Sequence, residues 1–226
     1  SRGLGDVYKR QALTHGGISN NLKVNLVRIE SDFLRPSEIK NKLKNVSGIL
    51  IPGGFGKRGT EGKIAAINYA RKNKIPFFGI CFGMQMAIIE FARNRLNIKK
   101  ATSSEFGPSK ASVVGLMSEW TKDGKLMRGT DKELGGTMRL GSYEARLKKD
   151  TKISKIYNSL KINERHRHRY ELNFEYMNKL AKAGMVFSGL NPKTGLVEII
   201  EIPNHNWFVG VQFHPEYQLS LIHISE

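Results

Sequence analysis

Apolar positions along the chain fall into three strand–turn–helix units. The segment LKVNLVRI (22–29) alternates apolar and polar residues, the period of a strand with one buried face. VSGILIPGGFG (46–56) is a short apolar run ending in glycines. EGKIAAINYARKN (61–73) follows it, with Ile64, Ile67 and Ala70 at helical spacing. IPFFGI (75–80) is apolar on both faces, as strands inside a parallel sheet are. A helical pattern then runs from Gly83 to Arg93, with Ala87, Ile88 and Phe91 on one face. Strands separated by helices of this length predict βαβ units. The expected fold class is therefore α/β: a three-layer, open, mostly parallel sheet with helices on both faces. Residues 100–150 are rich in Gly, Ser, Thr and Lys and carry a turn signal, KDGK (122–125), which predicts short strands and loops. A helix is expected over 171–183, stopping at Gly184. LVEIIEI (196–202) and WFVGVQF (207–213) read as a strand pair joined by PNHN.

At 226 residues, with 39% hydrophobic and 25% charged positions, the chain can bury one substantial core. The 37 Lys and Arg outweigh 20 Asp and Glu by +17, which invites a nucleic acid or an acidic partner. The basic residues are spread through RKNK, RNRLNIKK, RLKKD and RHRHR, without interleaved aromatics. Nucleic acid is therefore not expected as the biological partner. One cysteine excludes an intrachain disulfide framework and a Cys-based zinc site, and no metal is expected. No apolar run approaches membrane-spanning length, and the start has no apolar stretch of signal type. The expected compartment is the cytoplasm, with no membrane partner.

The single cysteine, Cys81, sits where a buried strand gives way to a helix, inside GICFG. Gly-x-Cys-x-Gly is the thiol form of a nucleophile elbow. Free N–H groups at the helix start would lower the thiol's pKa and bind a developing oxyanion. A buried structural cysteine is the competing reading. The glycine turn IPGGFG (51–56) serves equally as an anion cradle or as a plain tight turn. His214 and Glu216, at the exit of the last apolar run, share the two-residue spacing that points side chains to one face of an extended chain. They suit a base and its orienting carboxylate, or simply a surface pair. His15, His205 and His223 read as structural or solvent-facing. ERHRHRYELN (164–173) reads as a polyanion site, a carboxylate clamp or a solvated basic turn.

Together these stretches resemble the glutaminase domains of CTP synthases, within the triad-type class I glutamine amidotransferases. The resemblance is carried by ALTHGG, ILIPGGFGKRGTEGKI, IPFFGICFGMQ, SSEF, GGTMRLG, ERHRHRYELN, VEIIEIPNH and FVGVQFHPE, over roughly residues 12–218. It implies a flavodoxin-like sheet. It implies Cys81 as nucleophile, His214 as base and then acid, and Glu216 as the group orienting His214. Gly54 and the amide of Phe82 would hold the oxyanion. The stretch Phe82, Gly83, Met84 and Gln85 would bind L-glutamine, with Glu105 on its α-amino group and Arg169 on its α-carboxylate. Position 82 is Phe where the family usually has Leu, which leaves a backbone role unaffected. The resemblance further implies a synthetase domain binding ATP, Mg²⁺ and UTP, with no counterpart in these residues. It also implies GTP as an allosteric effector and a homo-oligomeric parent. The family's domain opens with a further strand and helix before ALTHGG, which residues 1–11 do not match, and residues 219–226 also depart. The chain is therefore expected to lack its first strand and to carry ends derived from cloning or assembly. Two rival readings are a γ-glutamyl hydrolase of the same fold, opposed by GGTMRLG and RHRHRYE, and a catalytically inactive basic binding module, opposed by the intact Cys81, His214 and Glu216.

Overall fold

The computed structural model describes residues 4–116, 119–122, 125–128 and 138–218. In chain order the elements are α1 (Leu4–Ser19), α2 (Pro36–Leu43), β1 (Ile49–Ile51), α3 (Thr60–Lys72), β2 (Phe77–Ile80) and α4 (Phe82–Arg95). Then come β3 (Thr102–Ser103), β4 (Ser112–Leu116), β5 (Glu119–Lys122), β6 (Lys125–Arg128), β7 (Arg139–Leu147) and α5 (Lys152–Tyr157). The last group is β8 (Lys161–His168), β9 (Tyr170–Leu172), α6 (Phe174–Lys182), β10 (Val186–Leu190), β11 (Val197–Glu201) and β12 (Phe208–Val211). Short 3-10 turns lie at Ser31–Phe33, Ser104–Phe106 and Pro215–Gln218.

Seven strands form one sheet in the order β1-β2-β12-β11-β10-β7-β8. β1, β2 and β12 run parallel, with Ile51 beside Gly79 and Ile80 beside Val211. The remaining pairs in this sheet are antiparallel. The expectation of a mostly parallel sheet is therefore corrected: only two of the six strand pairs are parallel, those at the βαβ end, because the links β10–β11, β11–β12 and, through the short α5, β7–β8 reverse the chain rather than cross over the sheet. β11 and β12 pair as read from the sequence. β3, β4 and β9 make a small second sheet, and β5 pairs with β6. The Lys122–Lys125 register brackets the KDGK signal, whose two central residues lie outside the described residues.

Helix α4 shows why a one-faced reading of its sequence falls short. Residues Phe82 to Ala92 are all buried, because the helix is wedged between the sheet, α3 and the small sheet. A helix enclosed on all sides is apolar around its circumference. The opposite sheet face holds a second apolar cluster of Ile80, Ala145, Leu147, Ile153, Ile162, Ile199, Val209, Val211 and Phe213, closed by α5. Helices therefore cover both faces.

Two further local readings fail outright. LKVNLVRI does not form a strand: residues 22–30 make no ladder, and Leu22, Val24, Leu26 and Val27 are exposed. An alternating pattern specifies a face to bury, but a strand also needs a backbone partner. Residues 4–19 form a helix, and among the described residues nothing pairs with the outer edge of β1. A groove of about 120 Å³, lined in part by Val27, Ile29, Ile49 and Ile51, lies there. The second failure is one of the three readings of 164–173, the solvated basic turn, in its stretch 165–169. These residues belong to strand β8 and the bend after it, with His166 and His168 inward and Arg165 and Arg167 outward. Because inward and outward positions are both polar, hydropathy could not reveal the period of two. The helix expected over 171–183 begins only at Phe174, after β9, with Asn173 as its N-cap; Gly184 follows at φ +104° as expected. Gly135 to Thr137 of GGTMRLG, and His223, lie outside the described residues.

Candidate active site

Because β1, β2 and β12 are parallel and adjacent, their carboxyl ends deliver Gly53–Gly54, Cys81 and Gln212–His214 to one edge of the sheet. Ligand sites in open α/β sheets form at this edge. The Cys81 N–H donates to the Val211 carbonyl at 2.7 Å, which ties the elbow to the strand that leads to His214. Cys81 has φ +51° and ψ −103°, a conformation costly for a side chain with a Cβ. Glycines at 79 and 83 permit it. A Cβ at Gly79 would lie 2.7 Å from the Gly83 carbonyl carbon, and one at Gly83 would strike the Ile51 carbonyl oxygen. The two glycines thus let strand, elbow and helix start pack directly on one another.

His214 is buried. Its Nδ1 lies 3.0 Å from Glu216 Oε1, and its ring stacks on Tyr217 with centroids 5.0 Å apart. Its N–H donates to the Arg165 carbonyl. Gly53 makes room for the ring: a Cβ there would sit 2.7 Å from Cε1 of His214. The sulfur lies 3.9 Å from the Arg167 carbonyl oxygen, and the Gln212 side-chain amide donates to it at 3.7 Å.

Burial pushes the Cys81 thiol up to about 12, and the carboxylates of Glu171, Glu216 and Glu105 add to the rise. The Phe82 N–H hydrogen-bonds the sulfur and pulls the other way. The expected lowering by the helix start is therefore present but outweighed, because the thiol is almost completely enclosed. The resting group is a neutral thiol.

The other residues singled out from the sequence separate into two groups. Glu105 accepts the Gly56 N–H at 2.6 Å, joining the glycine turn to the turn at Ser104–Phe106. Burial raises the Tyr170 hydroxyl's pKa, Glu105 raises it further and Arg169 opposes them. Gln85 is buried and donates to the Tyr170 carbonyl at 2.9 Å. Phe82 lies against Gly54 and meets Phe106 edge-on. Met84 differs: its side chain is fully buried in the core beside Gly210, so only its backbone faces the turn. Gly83 likewise serves packing through its missing side chain.

Behind the site lies an ionic cluster that the sequence reading missed. Arg139 binds Glu198 through both terminal nitrogens, at 2.6 and 3.3 Å, and Glu171 at 3.0 Å. His168 Nε2 lies 3.2 Å from Glu171, and His166 lies 3.5 Å from His168. Burial, then Arg139, then His214 hold His166 down to about 3, so its 3.6 Å approach to Glu198 is not an ion pair at neutral pH. Burial raises Glu171, and Glu198, which shares the same guanidinium, raises it further against the pull of Arg139. The signal for this cluster was the polar alternation of β8, which its own arginines concealed. Among the described residues no group of three or more His, Cys, Asp or Glu is placed to hold a metal ion. No described helix is long and apolar enough to cross a membrane.

The family profile "Glutamine amidotransferase class-I" matches residues 4–223. The chain belongs to the class I glutamine amidotransferases. Among members of that family, it is 68% identical over 217 residues to a CTP synthase of Pelagibacter ubique, covering 95% of this chain and 40% of that protein. It is 57% identical over 217 residues to a CTP synthase of Rhizobium johnstonii, with the same coverage. The glutaminase domain of Trypanosoma brucei CTPS with bound acivicin superposes with a TM-score of 0.84 at 34% identity, covering 96% of this chain and 82% of that one. The chain thus spans about 40% of the length of these curated relatives. The fold is α/β with helices on both faces, as the sequence indicated, but its sheet is mixed rather than mostly parallel.

Proposed function

We propose that the chain is the glutamine-hydrolysing part of a CTP synthase. The observation that carries this is the junction of β2 and β12, which sets the Cys81 elbow beside a strand ending in the paired His214 and Glu216. A second support is the matched glutaminase domain, which this chain covers over 82% of its length.

In this reading Glu216 holds the His214 tautomer with its proton on Nδ1, leaving Nε2 to take the thiol proton. The sulfur attacks the side-chain carbonyl carbon of glutamine. The N–H groups of Gly54 and Phe82 receive the oxyanion. Collapse breaks the carbon–nitrogen bond, and His214 returns its proton to the leaving nitrogen, which departs as ammonia. Water then gives a proton to His214 and attacks the γ-glutamyl thioester, releasing glutamate and restoring the thiol. Binding falls to Glu105 for the α-amino group and Arg169 for the α-carboxylate, with Gln85 and the backbone of Gly83 and Met84 along the side chain. Glutamine is a zwitterion, so an acid and a base at the far end select it.

The whole parent carries the rest of the reading. A synthetase domain with ATP and Mg²⁺ would consume the ammonia to aminate UTP to CTP, in the cytoplasm, within a homo-oligomer, under the influence of GTP.

The test is glutamate and ammonia release from L-glutamine by the 226-residue chain. Stoichiometric release that disappears in Cys81→Ala supports the reading. Equal release by Cys81→Ala refutes it.

A further inference from the structure

A glutamine buried at the exit of β12 has no part in the chemistry described so far. Gln212 has no exposed surface and follows the strand that pins Cys81. Its backbone N–H is used by the Glu198 carbonyl at 2.8 Å, so the position is fixed independently of the side chain. The orientation of the side-chain amide follows from its neighbours. The Tyr170 carbonyl can only accept, so the end of Gln85 that lies 2.9 Å from it is the NH₂ group. That same NH₂ faces Gln212 at 3.5 Å, so the facing atom of Gln212 is its oxygen. The Gln212 NH₂ is thereby turned toward the Cys81 sulfur, 3.7 Å away.

We infer that Gln212 is a further catalytic residue, donating an N–H to the Cys81 sulfur as negative charge develops there, in an orientation set by Gln85 from the Tyr170 carbonyl. The inference rests on Cys81 being the nucleophile. A hydrogen bond to a charged group is stronger than one to a neutral group, so this contact strengthens when the proton leaves. It is needed because the sulfur stands among Glu171, Glu216 and Glu105 in an enclosed space, where a thiolate is disfavoured. The chain of contacts also begins next to Arg169, the residue assigned to the substrate's carboxylate. The far end of the site is therefore joined to the nucleophile through Gln85 and Gln212.

The test uses covalent inactivation by a diazo-ketone analogue of glutamine, followed as a binding constant (KI) and a maximal rate (kinact), with circular dichroism and Tm checking the fold. Gln212→Met removes the donor at similar volume and is expected to lower kinact roughly tenfold while KI stays within about twofold. Gln212→Glu accepts when ionised and donates when protonated, so its kinact relative to the unsubstituted chain should recover as pH falls. A merely structural role would not give that recovery. Unchanged kinact in Gln212→Met, or kinact and KI moving together, would overturn the inference. If both variants unfold, the side-chain amide nitrogen signal of Gln212 in the unsubstituted chain reads the same contact. It should shift when Cys81 is captured, and an unmoved signal would also overturn the inference. An unsubstituted chain that is never labelled at Cys81 would instead overturn the nucleophile assignment.

Discussion

The N–H of Cys81 donates to the carbonyl oxygen of Val211 at 2.7 Å, and His214 lies three residues beyond that carbonyl. One ladder bond therefore fixes the distance between the two sequence regions that the chemistry must join, although they are more than a hundred residues apart in the chain. The elbow's unfavourable φ at Cys81 is sustained by this bond and by the close packing of Gly79 and Gly83.

Gly83→Ala should be severe. Its Cβ would meet the Ile51 main-chain oxygen, which cannot swing aside as a side chain could. A destabilisation of about 3 kcal/mol is expected. Denaturant unfolding would read it as a lower midpoint at unchanged slope, and a wild-type midpoint would contradict the packing account of the elbow.

Glu216→Gln should leave a folded protein that hydrolyses glutamine roughly 10²- to 10⁴-fold more slowly, because the imidazole loses its orienting carboxylate. Some turnover should survive, unlike in Cys81→Ala, since Glu216 bonds to neither substrate nor sulfur in the proposed mechanism. Steady-state glutamate release compares the two variants directly, and full activity in Glu216→Gln would remove Glu216 from the mechanism.

Arg169→Ala should raise the KM for glutamine about tenfold or more, the loss of one charge-assisted carboxylate contact, and change Tm little. An unaltered KM would take the carboxylate clamp away from this residue.

Stability should depend on pH through His166. Burial and Arg139 hold it at about 3 in the folded chain, against 6.5 for an ordinary histidine. Between these values the unfolded chain binds a proton that the folded chain does not, so stability present above pH 6.5 is lost as pH falls toward 3. Replacing the residue removes that proton from the balance. Tm measured from pH 7 to pH 3 should therefore fall less steeply for His166→Gln than for the unsubstituted chain, and parallel curves would contradict the assignment.

What the sequence revealed follows from how the physics is written into it. GICFG announces its elbow because only glycine tolerates the close approaches at 79 and 83, and ILIPGG and VGVQFHP announce strand exits by apolar runs that stop abruptly. The segment LKVNLVRI misled because amphipathic alternation does not report whether a ladder partner exists. The strand through RHRHR was hidden because its buried positions there are His166 and His168, packed against an ionic network of Arg139, Glu171 and Glu198 from other strands, with His168 touching Glu171. Such pairings depend on tertiary contacts. The direction of the Cys81 shift was misread for the same reason: the helix start is local and visible, but the enclosure is assembled from distant segments. Gln212 passed as one polar residue within an apolar strand.

The central claim is that the chain's one thiol is the group that attacks a glutamine side chain. Mass spectrometry of the intact chain after incubation with a diazo-ketone analogue of glutamine tests it most directly. The account predicts a single adduct, mapped to Cys81 and suppressed by excess L-glutamine. A chain left unmodified, or an adduct that forms elsewhere and ignores competing glutamine, would contradict it.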